Sequence, residues 1–176
     1  VPTGAVFKTV TSSGTTGQKT SKIVLDERTA AWQQQTLQRI MADFIGEKRI
    51  PMLIIDAPNV LRDRALFSAR GAGILGFSIF GSKRCYALKE DMSLDLETVE
   101  AFLEKAGDGP VLVFGFTYMV WKYFYEPLKR SGHRLHLEHG FLIHGGGWKK
   151  LAKEAGSAGK LRDGLREVCG ILDVRN

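Results

Sequence analysis

Two short apolar runs, Pro51-Met-Leu-Ile-Ile and Val111-Leu-Val-Phe114, restrict what this chain can become more than any other feature. Each is apolar at consecutive positions rather than alternate ones, and each is too short to be read as a helix. The first closes on Asp56 and Ala57-Pro58. A strand that is apolar on both faces must be covered on both, as happens in a parallel sheet sandwiched by helices. The intervening segments carry helical spacing. Asp26 reads as the N-cap of a long amphipathic helix in which Ala30, Leu37, Ile40, Met41, Phe44 and Ile45 recur until Gly46 ends it. Further helices are expected around Arg62 to Arg70, over Leu94 to Ala106 with Leu96, Val99, Phe102 and Leu103 inward, over Thr117 to Arg130 and over Leu161 to Cys169. Strands are expected at Phe7 to Thr11, Arg84 to Leu88 and, last, Phe141 to His144, while Ser21 to Leu25 alternates weakly. The expected fold class is α/β, a mainly parallel sheet with helices on both faces, forming a single domain over 1–176.

Composition removes several classes of function. With 44% hydrophobic and 25% charged residues and no apolar run near the roughly 20 residues of a membrane span, the chain reads as globular, with no membrane span. Two cysteines, Cys85 and Cys169, are too few for a secreted disulfide scaffold and too far apart for a metal knuckle, so the expected compartment is cytoplasmic and both read as core thiols. The net charge of +6 is spread over Lys48-Arg49, Lys83-Arg84, Lys129-Arg130 and Lys149-Lys150. Dispersed pairs of this kind solvate a surface, and no nucleic-acid-binding signature accompanies them, so no nucleic acid is expected as a partner. The chain opens at Val1 with neither an initiator Met nor a signal sequence, and it is expected to be an excerpt of something longer.

The most informative segment is Thr11-Ser-Ser-Gly-Thr-Thr-Gly-Gln-Lys19, which places five hydroxyls, two glycines and one cation in nine positions. Gly14 and Gly17 let backbone approach an anion closely. Ser12, Ser13, Thr15 and Thr16 can donate to phosphate oxygens, each such bond being worth about 1.5 to 3 kcal/mol, and Lys19 adds charge. The spacing is not that of a Walker loop, since only Thr15 and Thr16 separate the glycines. A second glycine turn, His144-Gly-Gly-Gly-Trp148, follows the last expected strand; either a flat ring lies against its backbone or the glycines serve packing alone. Asp56 either faces a cleft or caps the turn after its strand. Gly71-Ala-Gly-Ile-Leu-Gly76 matches the dinucleotide-binding pattern by letter but follows an expected helix rather than a strand, so it is read as packing. His133, His136, His139 and His144 fit neither helical nor strand geometry for a shared metal, and no metal site is expected.

The Ser-Ser-Gly-Thr-Thr-Gly string resembles the signature loop of the adenylate-forming superfamily. Within it, the chain is most similar to the LuxE-type acyl-protein synthetases, through that loop with Ser21-Lys-Ile and Asp26, then Pro51-Met-Leu-Ile-Ile-Asp56, Phe114-Gly-Phe-Thr-Tyr118 and His144-Gly-Gly-Gly-Trp-Lys-Lys150. The cation departs from the superfamily's Gly-x-Pro-Lys, so either Lys19 or Lys22 takes its role. The resemblance implies that 1–176 is a fragment of the large N-terminal domain of an adenylate-forming enzyme, without full activity alone. It implies ATP and Mg²⁺ as cofactors, with Ser12, Ser13, Gly14, Thr15, Thr16, Gly17 and Lys19 on the phosphates, Gly145, Gly146 and Gly147 against adenine, and Phe116 and Tyr118 bordering an acyl pocket. It implies activation of a fatty or other carboxylic acid as acyl-adenylate and acyl transfer to a protein thiol, with an acyl-accepting or acyl-reductase protein as partner. The alternatives are an acyl- or aryl-CoA ligase similar to phenylacetate-CoA ligase and a nucleotide-binding module without chemistry.

Overall fold

The computed structural model describes residues 8–11, 22–62, 69–147 and 158–176, which fall in two compact units, one within Val1–Lys48 and the other within Arg49–Asn176. In the first, β1 (Lys8–Thr11) and β2 (Lys22–Leu25) form an antiparallel pair, followed by α1 (Glu27–Ile45). The start of α1 is set as its sequence requires, because the Thr29 N–H donates to Asp26 Oδ1 at 2.6 Å. Its end falls at Gly46, whose φ of 75° is in the left-handed region that glycine alone enters cheaply.

The second unit is built on five parallel strands, β3 (Ile50–Ile55), β4 (Gly81–Tyr86), β5 (Val111–Phe116), β6 (Gly140–Gly145) and β7 (Asp173–Arg175), in the order β4-β3-β5-β6-β7. The connections are α2 (Ala69–Phe77), α3 (Leu96–Ala106), a helical stretch over 117–131 and α6 (Ala158–Cys169). That stretch consists of α4 (Thr117–Met119), a π-helical part Val120–Tyr125 and α5 (Glu126–Ser131). The chain moves from β3 outward to β4 and then back across β3 to β5. With right-handed crossovers, that reversal places α2 on one face and the later helices on the other.

Side-chain packing agrees with this division. Phe77 of α2 stacks on Phe114 at 4.5 Å between ring centroids, whereas Leu53, Ile55, Val113 and Leu142 share a core with Val99 of α3, Phe124 and Leu165 of α6. The α/β class with helices on both faces is therefore observed. Every residue of β3 except Pro51 and all but Phe116 of β5 are buried, as their consecutive apolar pattern demands.

Several details differ from the sequence expectation. Most of the helix expected around Arg62 to Arg70 lies at 63–68, outside the described residues; α2 is described over Ala69–Phe77, so it runs on through the glycines, and a 3₁₀ turn stands at Pro58–Leu61. Three glycines between 71 and 76 lower intrinsic helicity, but burial of Ile74 and the close seating of Gly73 outweigh it. A Cβ at Gly73 would lie 3.3 Å from both the Phe114 and Phe116 rings, so the dinucleotide-like letters there serve helix-to-sheet packing.

Strand β4 begins earlier than expected and is an edge, with Ser82, Lys83 and Arg84 exposed and Cys85 buried. The helical stretch over 117–131 contains a π segment just before Pro127. Pro127 cannot donate to the carbonyl four residues back, and the wider turn lets it sit in the first turn of α5. Finally, Phe141 to His144 is not the last strand: β7 pairs with β6 through Phe141, Leu142 and Ile143.

Candidate functional site

In an open parallel sheet with this strand order, ligands bind beyond the carboxyl ends of the strands, next to the switch point, here between β3 and β5. A polar residue stands at or just past that end of three neighbouring strands: Asp56 after β3, Thr117 after β5 and His144 in β6. All three are buried.

Asp56 is committed to structure. Its carboxylate accepts from the Ala57 N–H at 2.8 Å and from Arg70 of α2 through Nε at 3.0 Å and Nη2 at 2.8 Å. Burial pushes the Asp56 carboxyl up, and the Ala57 N–H and the Arg70 guanidinium oppose that. Of the two roles open in the sequence, turn capping is observed, together with an ion pair that ties the start of α2 to the central strand.

Thr117 and His144 form the other cluster. The register sets His144 opposite Gly115 and Gly145 opposite Phe116, so the first residue of α4 meets the end of β6. Thr117 Oγ1 lies 2.8 Å from His144 Nδ1, 3.1 Å from the carbonyl oxygen of Gly145 and 2.9 Å from that of Gly146. Asn176, just past β7, brings Nδ2 to 3.1 Å from the same imidazole nitrogen. Gly146 has φ 77°, and a Cβ there would come 3.0 Å from Phe116 Cδ1, so both backbone and space require glycine. Gly146 and Gly147 are exposed at the carboxyl edge, whereas Thr117 and His144 behind them are buried.

Burial pushes the His144 imidazole below its ordinary value. The unfolded chain then takes up a proton here as pH falls through about 6.5, before the native protein does, so stability is lost on acidification through that window. Unfolding titrations at pH 7.5 and 5.5 are expected to show lower stability at 5.5, with a smaller difference in His144→Gln. An equal pH dependence in the two proteins would remove His144 from the account.

The structure treats the other sequence candidates unequally. Ser12, Ser13, Gly14, Thr15, Thr16, Gly17 and Lys19 lie outside the described residues; Thr11 and Lys22, which flank them, are cross-strand partners at the end of the β1/β2 pair. Gly145, Gly146 and Phe116 are brought together. The Tyr118 ring meets Tyr123 edge-on at 6.0 Å, and the Lys122 ammonium donates to its hydroxyl at 3.1 Å. His133 pairs with Glu100 at 2.8 Å and His136 lies 3.5 Å from Glu138. Among the described residues no three His, Cys, Asp or Glu side chains are grouped to hold a metal ion, and no helix is long and apolar enough to cross a membrane. Cys85 and Cys169 are both buried, and burial raises their thiols to about 11 and about 12.

Sequence reasoning did not single out Thr117, Asn176 or Arg70. For Thr117 a signal existed: a lone polar residue directly after an apolar strand, as Asp56 is after β3.

No curated protein and no solved structure matches the chain. A family model described as acyl-protein synthetase, LuxE, matches residues 4–175, which includes the β1/β2 pair, the whole parallel sheet and the glycine turn. The chain belongs to the LuxE acyl-protein synthetase family.

Proposed function

We propose that this chain carries the nucleotide-handling part of an ATP-dependent acyl-protein synthetase. The observation that carries the reading is the family match over 4–175. In this reading Ser12, Ser13, Thr15 and Thr16, the backbone at Gly14 and Gly17, and Lys19 hold the phosphates of ATP, with Mg²⁺ accompanying them. Gly145, Gly146 and Gly147 take the adenine, and Phe116 and Tyr118 border the acyl chain. A carboxylate oxygen of the fatty or other acid attacks the α-phosphorus, the bond to the β-phosphate oxygen breaks, and pyrophosphate leaves. A protein thiolate then attacks the acyl carbon of the adenylate and AMP departs. Positioning and charge stabilisation dominate such chemistry, so loss of one phosphate-binding cation is a large loss.

Pyrophosphate exchange into ATP, driven by carboxylic acids, tests this in the full-length protein. Lys19→Ala is expected to lower the exchange rate on the order of a hundredfold. No exchange in the wild type would favour a nucleotide-binding module without chemistry, and unchanged exchange in Lys19→Ala and Thr16→Ala would take the phosphate-binding role away from that segment. Transfer of the acyl group to coenzyme A rather than to a protein thiol would favour the CoA-ligase alternative.

A further inference from the structure

We infer that Thr117 is the positioning residue of the Gly145–Gly147 turn, holding two backbone N–H groups outward for the acceptor edge of the nucleotide base. The inference rests on the adenine role proposed for that turn. The carbonyl oxygens of Gly145 and Gly146 both point back to Thr117 Oγ1, at 3.1 and 2.9 Å. In a trans peptide the N–H points opposite to the C=O of the same unit, so the N–H groups of Gly146 and Gly147 point away from Thr117. Both residues are exposed, and neither N–H has an acceptor among the described residues.

Two adjacent outward donors favour a partner that presents acceptors. Adenine presents N1, N3 and N7 as ring acceptors and guanine presents O6 and N7, so the two donors fit a purine edge without telling the two bases apart. The hydroxyl itself is held from behind: Thr117 is 1% exposed, and His144, 5% exposed, meets Oγ1 through Nδ1 at 2.8 Å while Asn176 lies against the same nitrogen. Phe116 lies beneath Gly146, closing the side on which the turn could otherwise relax.

The test is steady-state pyrophosphate exchange in the full-length protein with a saturating carboxylic acid, with ATP varied. Thr117→Val, which keeps shape but removes the hydroxyl, is expected to raise KM for ATP roughly tenfold with kcat within about threefold. Thr117→Ser, which restores the hydroxyl, is expected to recover most of that affinity. Gly147→Pro removes one of the two donors while leaving the Thr117 hydroxyl in place, and is expected to move KM in the same direction even if Thr117→Val fails to fold. An active wild type whose KM for ATP is unchanged in both Thr117→Val and Gly147→Pro overturns the positioning role alone. A wild type with no ATP-dependent exchange overturns the proposed activation chemistry, and this inference with it.

Discussion

Arg70→Ala is expected to lower the free energy of unfolding by about 3–5 kcal/mol, the usual result of stranding one member of a buried ion pair. The Asp56 side chain is 2% exposed and that of Arg70 25%, so the two partners are not equivalent. Without the guanidinium, the carboxylate sits at the end of the central strand with the Ala57 N–H still donating to it. It cannot turn to water. Arg70, by contrast, reaches the surface, so Asp56→Ala is expected to cost less than Arg70→Ala. The pH dependence follows from the raised Asp56 value: in Arg70→Ala the native protein takes up a proton here at higher pH than the unfolded chain does. The variant therefore regains stability as pH falls through the native value towards the unfolded value near 3.9. Chemical denaturation at neutral pH and near pH 4.5 measures both effects. A loss under about 1 kcal/mol at neutral pH would mean that water reaches Asp56. Replacing both partners at once, with Asp56→Leu and Arg70→Met, is expected to recover most of the loss, because an apolar pair of similar volume needs no charge compensation.

The second large effect is expected on the opposite face. Phe124 is 1% exposed and belongs to the core shared by β3, β5, α3 and α6, so Phe124→Ala should cost about 3–5 kcal/mol through lost burial and the cavity left behind. Collapse around that cavity is restricted. Gly115 of β5 already lies so close that a Cβ there would meet Ile55 and Val120 at 2.9 Å, and Gly164 of α6 admits the Tyr125 ring where a Cβ would lie 2.5 Å from it. The π segment brings Val120, Trp121, Phe124 and Tyr125 all into buried positions. Tyr123, which is only partly buried in the same segment, provides the contrast, and Tyr123→Ala is expected to cost less. Equal losses for the two substitutions in urea titrations would show that the segment repacks freely, and the account of its rigidity would fail.

Much of the fold was legible because local pattern and tertiary demand coincide. Pro51 to Ile55 and Val111 to Phe114 are apolar at successive positions since both faces of their strands are covered, and Asp26 and Gly46 bound α1 for reasons contained in the neighbouring four residues. The misplacements share one cause. Strand β7 has a single buried residue, Val174, and is defined by the open edge of β6 rather than by its own composition. Helix α2 looks like a glycine-rich turn until the Phe114 and Phe116 rings are placed beneath Gly73.

For the candidate site, the glycine turn could be read directly, since three successive glycines after an apolar strand are a local signal. Its support could not. Thr117, His144 and Asn176 are separated by 27 and 32 residues along the chain and meet only because β5, β6 and β7 lie side by side in parallel. The amino-acid sequence by itself determined the class of fold, the family and the two glycine-bearing segments, because these depend on residue types at short spacing. Which polar groups face one another at the carboxyl edge, that Asp56 is held by Arg70 and that one threonine hydroxyl gathers two glycine carbonyls were decided by strand order, which brings distant residues within hydrogen-bond reach.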